Sequence, residues 1–142
     1  MRNLVVDANV MVSAILGRSL PLVLDIALET VLMVPTPMIA EAKRNVARKR
    51  GAEAAVHVDT LLELIAPIDP FAFVHLEREA RDRLDAGGQS DWPVLATALA
   101  FEADIWSRDR DFFGTGVAVW ATRNIRRSAA TPTNFDDGAT NA

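Results

Sequence analysis

Gly88-Gln89-Ser90-Asp91-Trp92-Pro93-Val94-Leu95-Ala96, together with Ile105-Trp106-Ser107-Arg108-Asp109-Arg110-Asp111-Phe112-Phe113, decides how this 142-residue chain is read. Ser90 is a cap-type residue ahead of an apolar pattern of Val94, Leu95, Ala98, Leu99 and Phe101. With Pro93 tolerable in the first turn, the pattern predicts a helix over residues 91–102. Ile105-Trp106-Ser107 is a short apolar run that reads as a strand. The helix start and the strand end each bring a carboxylate, Asp91 and Asp109, to the place where the chain reverses direction. A single acid in the first turn of a helix needs no role beyond its interaction with the helix dipole. A third acid, Asp7, closes the first strand, and three acids so placed point to a metal site.

Working outward, Leu4-Val5-Val6 lacks alternation, as expected of a strand buried on both faces of a parallel sheet, and it ends at Asp7. Asn9 is read as the cap of a short helix through Val10, Val12, Ala14 and Ile15, stopped by Gly17. Ser19 or Leu20, with Pro21, opens a second helix, and residues 31–34 read as the second strand. Thr36-Pro37 repeats the start signal for a helix that runs to Gly51 and carries Glu41 near its beginning. A further helix is predicted over residues 54–66, with Val58, Leu61, Leu62 and Ile65 at helical spacing and Pro67 as terminator. Residues 68–74 read as an edge strand or extended coil, because Pro70 excludes a central position. A charged helix over residues 76–84, ending before Gly87-Gly88, and a last strand over residues 117–120 complete the pattern. Helices alternating with short apolar strands predict an α/β sandwich around a parallel sheet.

The chain is 50% hydrophobic, which suits one domain with a substantial core. From Ala121 the composition turns to Thr, Asn, Asp, Gly and Ala, so residues 1–121 are expected to form the domain. Residues 122–142, including the isolated Phe135, are expected to form a tail, mobile or docked on a partner. With no cysteine, thiolate-ligated zinc and disulfides are excluded, and a metal must be held by oxygen or imidazole. No apolar run reaches a membrane-spanning length, and the start lacks a signal-peptide pattern, so a cytoplasmic location is expected. A net charge of −4 gives no global footprint for nucleic acid. Lys43, Arg44, Arg48, Lys49 and Arg50, and separately Arg123, Arg126 and Arg127, read as solvated faces, with a basic rim around an acidic centre as the alternative.

In an open α/β sheet, ligands bind outside the carboxyl ends of the strands. Asp7, Asp91 and Asp109 fit that rule, and Glu41 joins them if its helix follows the second strand directly. Gathered carboxylates repel one another unless a cation neutralises them, so a hard divalent ion, Mg²⁺ or Mn²⁺, is expected. Such an ion, held with open positions, ionises water for attack on phosphorus and stabilises the charge of the transition state, which favours phosphodiester hydrolysis. Three other readings are weighed against it. A phosphotransfer enzyme with Asp7 as nucleophile would want an aspartate where Asn9 stands. A non-catalytic RNA- or protein-binding module would have little reason to keep a costly set of like charges. Taken singly, each acid is a helix-start, turn or solvated residue. Trp92, Trp106 and Trp120 read as packing residues, and His57 and His75 as structural. Arg108 and Arg110 are placed either to meet a phosphate or to balance the neighbouring aspartates.

Val5-Val6-Asp7-Ala8-Asn9-Val10, Glu41 on an early helix, Ser90-Asp91-Trp92 through Ala100, and Trp106-Ser107-Arg108-Asp109-Arg110-Asp111-Phe112 together resemble the PIN-domain family, including the VapC-type toxins of bacterial toxin–antitoxin pairs. The resemblance covers the chain to about Trp120. It implies a three-layer α/β/α fold with a central, mainly parallel sheet, and a ribonuclease dependent on Mg²⁺ or Mn²⁺. Asp7, Glu41, Asp91 and Asp109 match the family's acidic positions, and Asp7, Asp91, Asp109 and Asp111 its metal ligands, Asp111 being the more variable one. Ser107 and Asn9 stand where the family places supporting residues. An antitoxin partner and a homodimer are implied as well. The family also includes RNA-processing nucleases that are not toxins.

Overall fold

The run Leu4-Val5-Val6 offers water no polar face, and its side chains are wholly buried in the central strand β1 (Arg2–Val6). The computed structural model describes residues 2–130. β1 is flanked by β2 (Thr30–Pro35) on one side and β4 (Asp104–Trp106) on the other. β3 (Ile65–Ile68) and β5 (Val119–Trp120) form the edges, so the order is β3-β2-β1-β4-β5 with every pair parallel.

Seven α-helices are described: α1 (Ala8–Leu16), α2 (Leu20–Ala27), α3 (Thr36–Arg50), α4 (Val56–Leu61), α5 (Glu77–Arg83), α6 (Trp92–Phe101) and α7 (Arg126–Ala130). They cover the sheet as a three-layer α/β/α sandwich. α6, whose residues Val94, Leu95 and Ala96 are fully buried, packs against β1, β2 and β4. Burial of each such aliphatic side chain contributes about 1.5–3 kcal/mol for a Val or Leu.

Three local expectations are corrected. Asp7, not Asn9, caps α1, accepting a hydrogen bond from Val10 N at 3.0 Å. The helix expected over residues 54–66 is only the six-residue α4 after a short 3₁₀ turn, and Ile65 and Ala66 instead begin β3. Pairing of Ile65 with Leu32 and of Ala66 with Met33 in the sheet overrides the helical spacing of the apolar residues. Pro67 is accepted there because β3 is an edge strand, and residues 70–76 then form two 3₁₀ turns, not an extended segment. Third, the fold continues past residue 121: Ile125 is fully buried, and Trp106 Nε1 donates to Thr122 Oγ1 at 3.1 Å. Of the expected tail, residues 131–142, with Phe135, lie outside the described residues.

Side chains on neighbouring strands tie that edge of the sheet together. Asp104 pairs with Arg2 and also accepts from Trp120 Nε1 at 2.9 Å. Trp106 is wholly buried between these contacts and the core. Replacing Trp106 by Ala is expected to destabilise the fold by about 3–5 kcal/mol, the usual cost of deleting a buried large aromatic, measured as a loss of urea midpoint.

Candidate metal centre

The chain lays β2 and β3 on one side of β1 and then returns to the other side for β4 and β5. At such a reversal the loops leaving the two central strands diverge and open a crevice at their carboxyl ends. Pairing of Val6 with Trp106 makes the next residues, Asp7 and Ser107, neighbours across that crevice. Ser107 Oγ donates to Asp7 Oδ2 and accepts from Asp109 N at 3.0 Å, so one hydroxyl couples the ends of β1 and β4. Asp7 is only 7% exposed, and its second oxygen caps α1.

Beyond Ser107 the chain turns tightly, with Asp109 Oδ1 accepting from Asp111 N at 2.9 Å. The turn brings Asp111 toward Asp109, and α6 presents Asp91 to the same place. Asp91 stands at the N-cap position of α6 without capping it, which leaves its carboxylate for the crevice; Ser90 belongs to the preceding 3₁₀ segment and is not the cap. Each of Asp91, Asp109 and Asp111 offers a carboxylate oxygen within 4.8 Å of those of the other two, with Asp111 the most solvent-facing.

The electrostatics extend the set to Asp7 and Glu41. Burial pushes the Asp7 carboxyl above its ordinary range, hydrogen bonds from Ser107 and Val10 oppose this, and the charges of Asp109 and Glu41 add to the rise. Asp91 is pushed up to about 7 by burial, by hydrogen bonding and charge from Asp109, and by the charges of Glu41 and Asp7. The charge of Glu41 thus acts on both carboxyls from its position one turn into α3, straight after β2. Glu29 and Glu53, the neighbouring acids in sequence, are exposed and are not among the charges acting on Asp7 or Asp91. Asp111 is raised chiefly by the charge of Asp109, with a smaller contribution from Asp85.

Two residues of this region were not singled out from sequence as parts of the site. Asp85 adds charge on the Asp111 side, and Gly88 packs so closely there that a Cβ would lie 2.7 Å from the Asp111 side chain. The Gly87-Gly88 pair signals a change of direction in the sequence; the need at Gly88 is space. Asn9 is exposed, and its side chain makes no hydrogen bond among the described residues. Arg108 and Arg110 are exposed and form no salt bridge with the aspartates among those residues.

The donor set is all carboxylate oxygen, with Asp7, Asp91 and Asp111 each raised in part by neighbouring carboxylates, and it fits a hard divalent cation. A family model described as "PIN domain" matches residues 5–130, and the chain belongs to that family. No curated protein matches it in sequence. Among solved structures, it is similar to VapBC2 from Rickettsia felis, bound to a DNA fragment from their promoter, at 19% identity and a TM-score of 0.63, covering 84% of this chain and 98% of that one. PAE2754 from Pyrobaculum aerophilum superposes with a TM-score of 0.67 at 14% identity, over 91% of this chain and 90% of the other. FitAcB from Neisseria gonorrhoeae gives 0.58 at 21%, over 84% and 98%. At these identities the likeness is one of fold.

The raised Asp91 value has a consequence for stability. Between the ordinary value of 3.8 and about 7 the folded chain holds more protons than the unfolded one, so stability falls as pH rises through this window and levels off above it. Asp91→Asn is expected to raise the melting temperature at pH 8 and to flatten its dependence on pH, and Mn²⁺ is expected to stabilise the wild type most at pH 8; thermal melts with and without the ion check both. For Gly88→Ala, the added methyl must displace Asp111. A loss of about 1–3 kcal/mol and weaker Mn²⁺ binding are expected, read by denaturation and calorimetry.

Proposed function

We propose that the chain is a divalent-metal-dependent endoribonuclease of the VapC type, the toxin of a type II toxin–antitoxin pair acting in the cytoplasm. The observation that carries this reading is the convergence of Asp7, Glu41, Asp91 and Asp109 at the strand-order reversal, where each raised carboxyl is raised in part by the others' charge. Asp91, Asp109 and Asp111, with Asp7, would hold Mg²⁺ or Mn²⁺. When bound, the ion would supply an activated water and neutralise charge on the phosphoryl oxygens. Ser107 fixes Asp7 and the Asp109 backbone in register, a positioning role. Glu41 is the carboxylate left to orient water or accept its proton, and the exposed Arg108 and Arg110 can meet phosphates next to the scissile bond.

The toxin role is supported by the family membership and by a fold shared with VapBC2 and FitAcB. An antitoxin covering the crevice and pairing of two copies complete the proposal. No helix among the described residues is long and apolar enough to cross a membrane.

Purified protein is expected to cut a mixed, end-labelled RNA pool with Mg²⁺ or Mn²⁺ and to stop when EDTA is added. Asp7→Asn is expected to lower the rate by roughly two to three orders of magnitude, the scale of losing one preorganised electrostatic group from a catalytic site. Its fold should persist, because an amide oxygen can still accept from Val10 N. Wild-type cutting by this variant would remove Asp7 from the mechanism. No cutting together with no Mn²⁺ uptake would favour a non-catalytic binding module. Growth arrest on expression, abolished by the same substitution, tests the toxin role.

A further inference from the structure

Beside the carboxylates lies a second, oppositely charged feature. A groove of about 550 Å³ runs between α1, the α1–α2 turn and the C-terminal end of α3, lined in part by Arg18, Lys49 and Arg108 with no acidic residue in its wall. This volume falls within the ~300–1,000 Å³ range of small-molecule sites. Three cations gathered in one wall run against a chain whose net charge is −4. Among the described residues none of the three forms a salt bridge, whereas Lys43, Arg81, Arg83 and Arg126 do. Ser19 Oγ, also in the wall, is buried and has no hydrogen-bond partner. Val12, Leu16 and Leu22 supply apolar surface between the polar groups.

The groove is joined to the acidic centre through the backbone. Arg108 lies between Ser107 and Asp109, and α1, which provides Val12 and Leu16, is the helix capped by Asp7. We propose that this groove is a subsite for single-stranded RNA flanking the scissile bond. Arg18, Lys49 and Arg108 hold backbone phosphates, and the apolar floor takes a ribose or base. The proposal deepens the ribonuclease reading and rests on it. It also gives the enzyme a way to draw a polyanion toward a site whose own residues repel one: the cations beside the centre hold the strand while the acids await the metal. An acidic protein segment would match the cations, but the apolar floor and the continuity with the carboxylates favour a nucleotide chain.

The test uses the full chain carrying Asp7→Asn, with Mn²⁺, and a short end-labelled single-stranded RNA of mixed sequence. Adding Arg18→Ala and Lys49→Ala is expected to weaken binding roughly tenfold and to reduce the salt dependence of log affinity by about 1.4, about 0.7 for each phosphate contact on a single strand. Both side chains are exposed, so folding is expected to persist, and circular dichroism verifies it. In the active background the same pair is expected to raise KM for RNA while leaving hydrolysis of bis(p-nitrophenyl) phosphate, too small to reach the groove, unchanged. Unchanged RNA affinity and salt slope would overturn the subsite and leave the nuclease reading intact, whereas absence of both RNA binding and metal-dependent cutting would overturn both. An equal loss from Arg44→Ala with Arg78→Ala, outside the groove, would reduce the effect to general charge attraction. Displacement of RNA by polyglutamate at equal charge would reassign the groove to acidic protein; each of these two results also overturns the proposal.

Discussion

A carboxylate buried at the end of the central strand has to be held by hydrogen bonds, or the strand could not end there. Asp7 meets this requirement twice, taking the Val10 N–H in the first turn of α1 on one oxygen and the Ser107 hydroxyl on the other. The first bond starts the helix that follows β1. The second fixes β4 against β1 and, through Ser107, the backbone of Asp109. Strand register, helix start and placement of the next acid therefore depend on one side chain, and that side chain remains strained by burial and like charge.

The strain is shared around the centre. The hydrogen bonds that Asp7 accepts lower its proton affinity but do not cancel the effect of burial, and Asp91 has no such compensation from its helix. A protein keeps such an arrangement at a local cost in stability, offset by the core: β1 and the middle of α6 are wholly buried, and Trp106 seals the β4 side. A divalent cation is the simplest group that turns the repulsion into binding energy, because it interacts favourably with every carboxylate at once. Elevated proton affinity without the ion and affinity for the ion are two consequences of one charge distribution.

Arrangement around the centre also separates charges by function. Negative groups occupy the crevice at the strand ends, whereas the free cations Arg18, Lys49 and Arg108 line the adjoining groove. On α5 the cations are neutralised locally, in the Arg81–Glu77 and Arg83–Glu79 pairs, which sit one helical turn apart and contribute little beyond solubility. Arg81 additionally stacks 5.5 Å from the Trp92 ring centre, so the start of α6, which carries the crevice acid, is braced from outside.

The sequence by itself determined the fold class and most of the elements, since apolar runs too short to span anything but a sheet alternate with helical patterns bounded by proline and glycine. It also singled out Asp7, Asp91 and Asp109, because acids at the ends of buried strands and starts of apolar helices stand out against their surroundings. Periodicity failed at residues 65 and 66, where hydrogen bonding to β2 decided between helix and strand, and composition passed over Ile125, whose burial depends on a distant surface of the core. Only tertiary structure showed that Asp7 and not Asn9 caps α1, and gave Gly88 its role beside Asp111. Distances between residues far apart in the chain are set by strand order and register, and those are fixed by packing of the whole sheet, which no local pattern encodes.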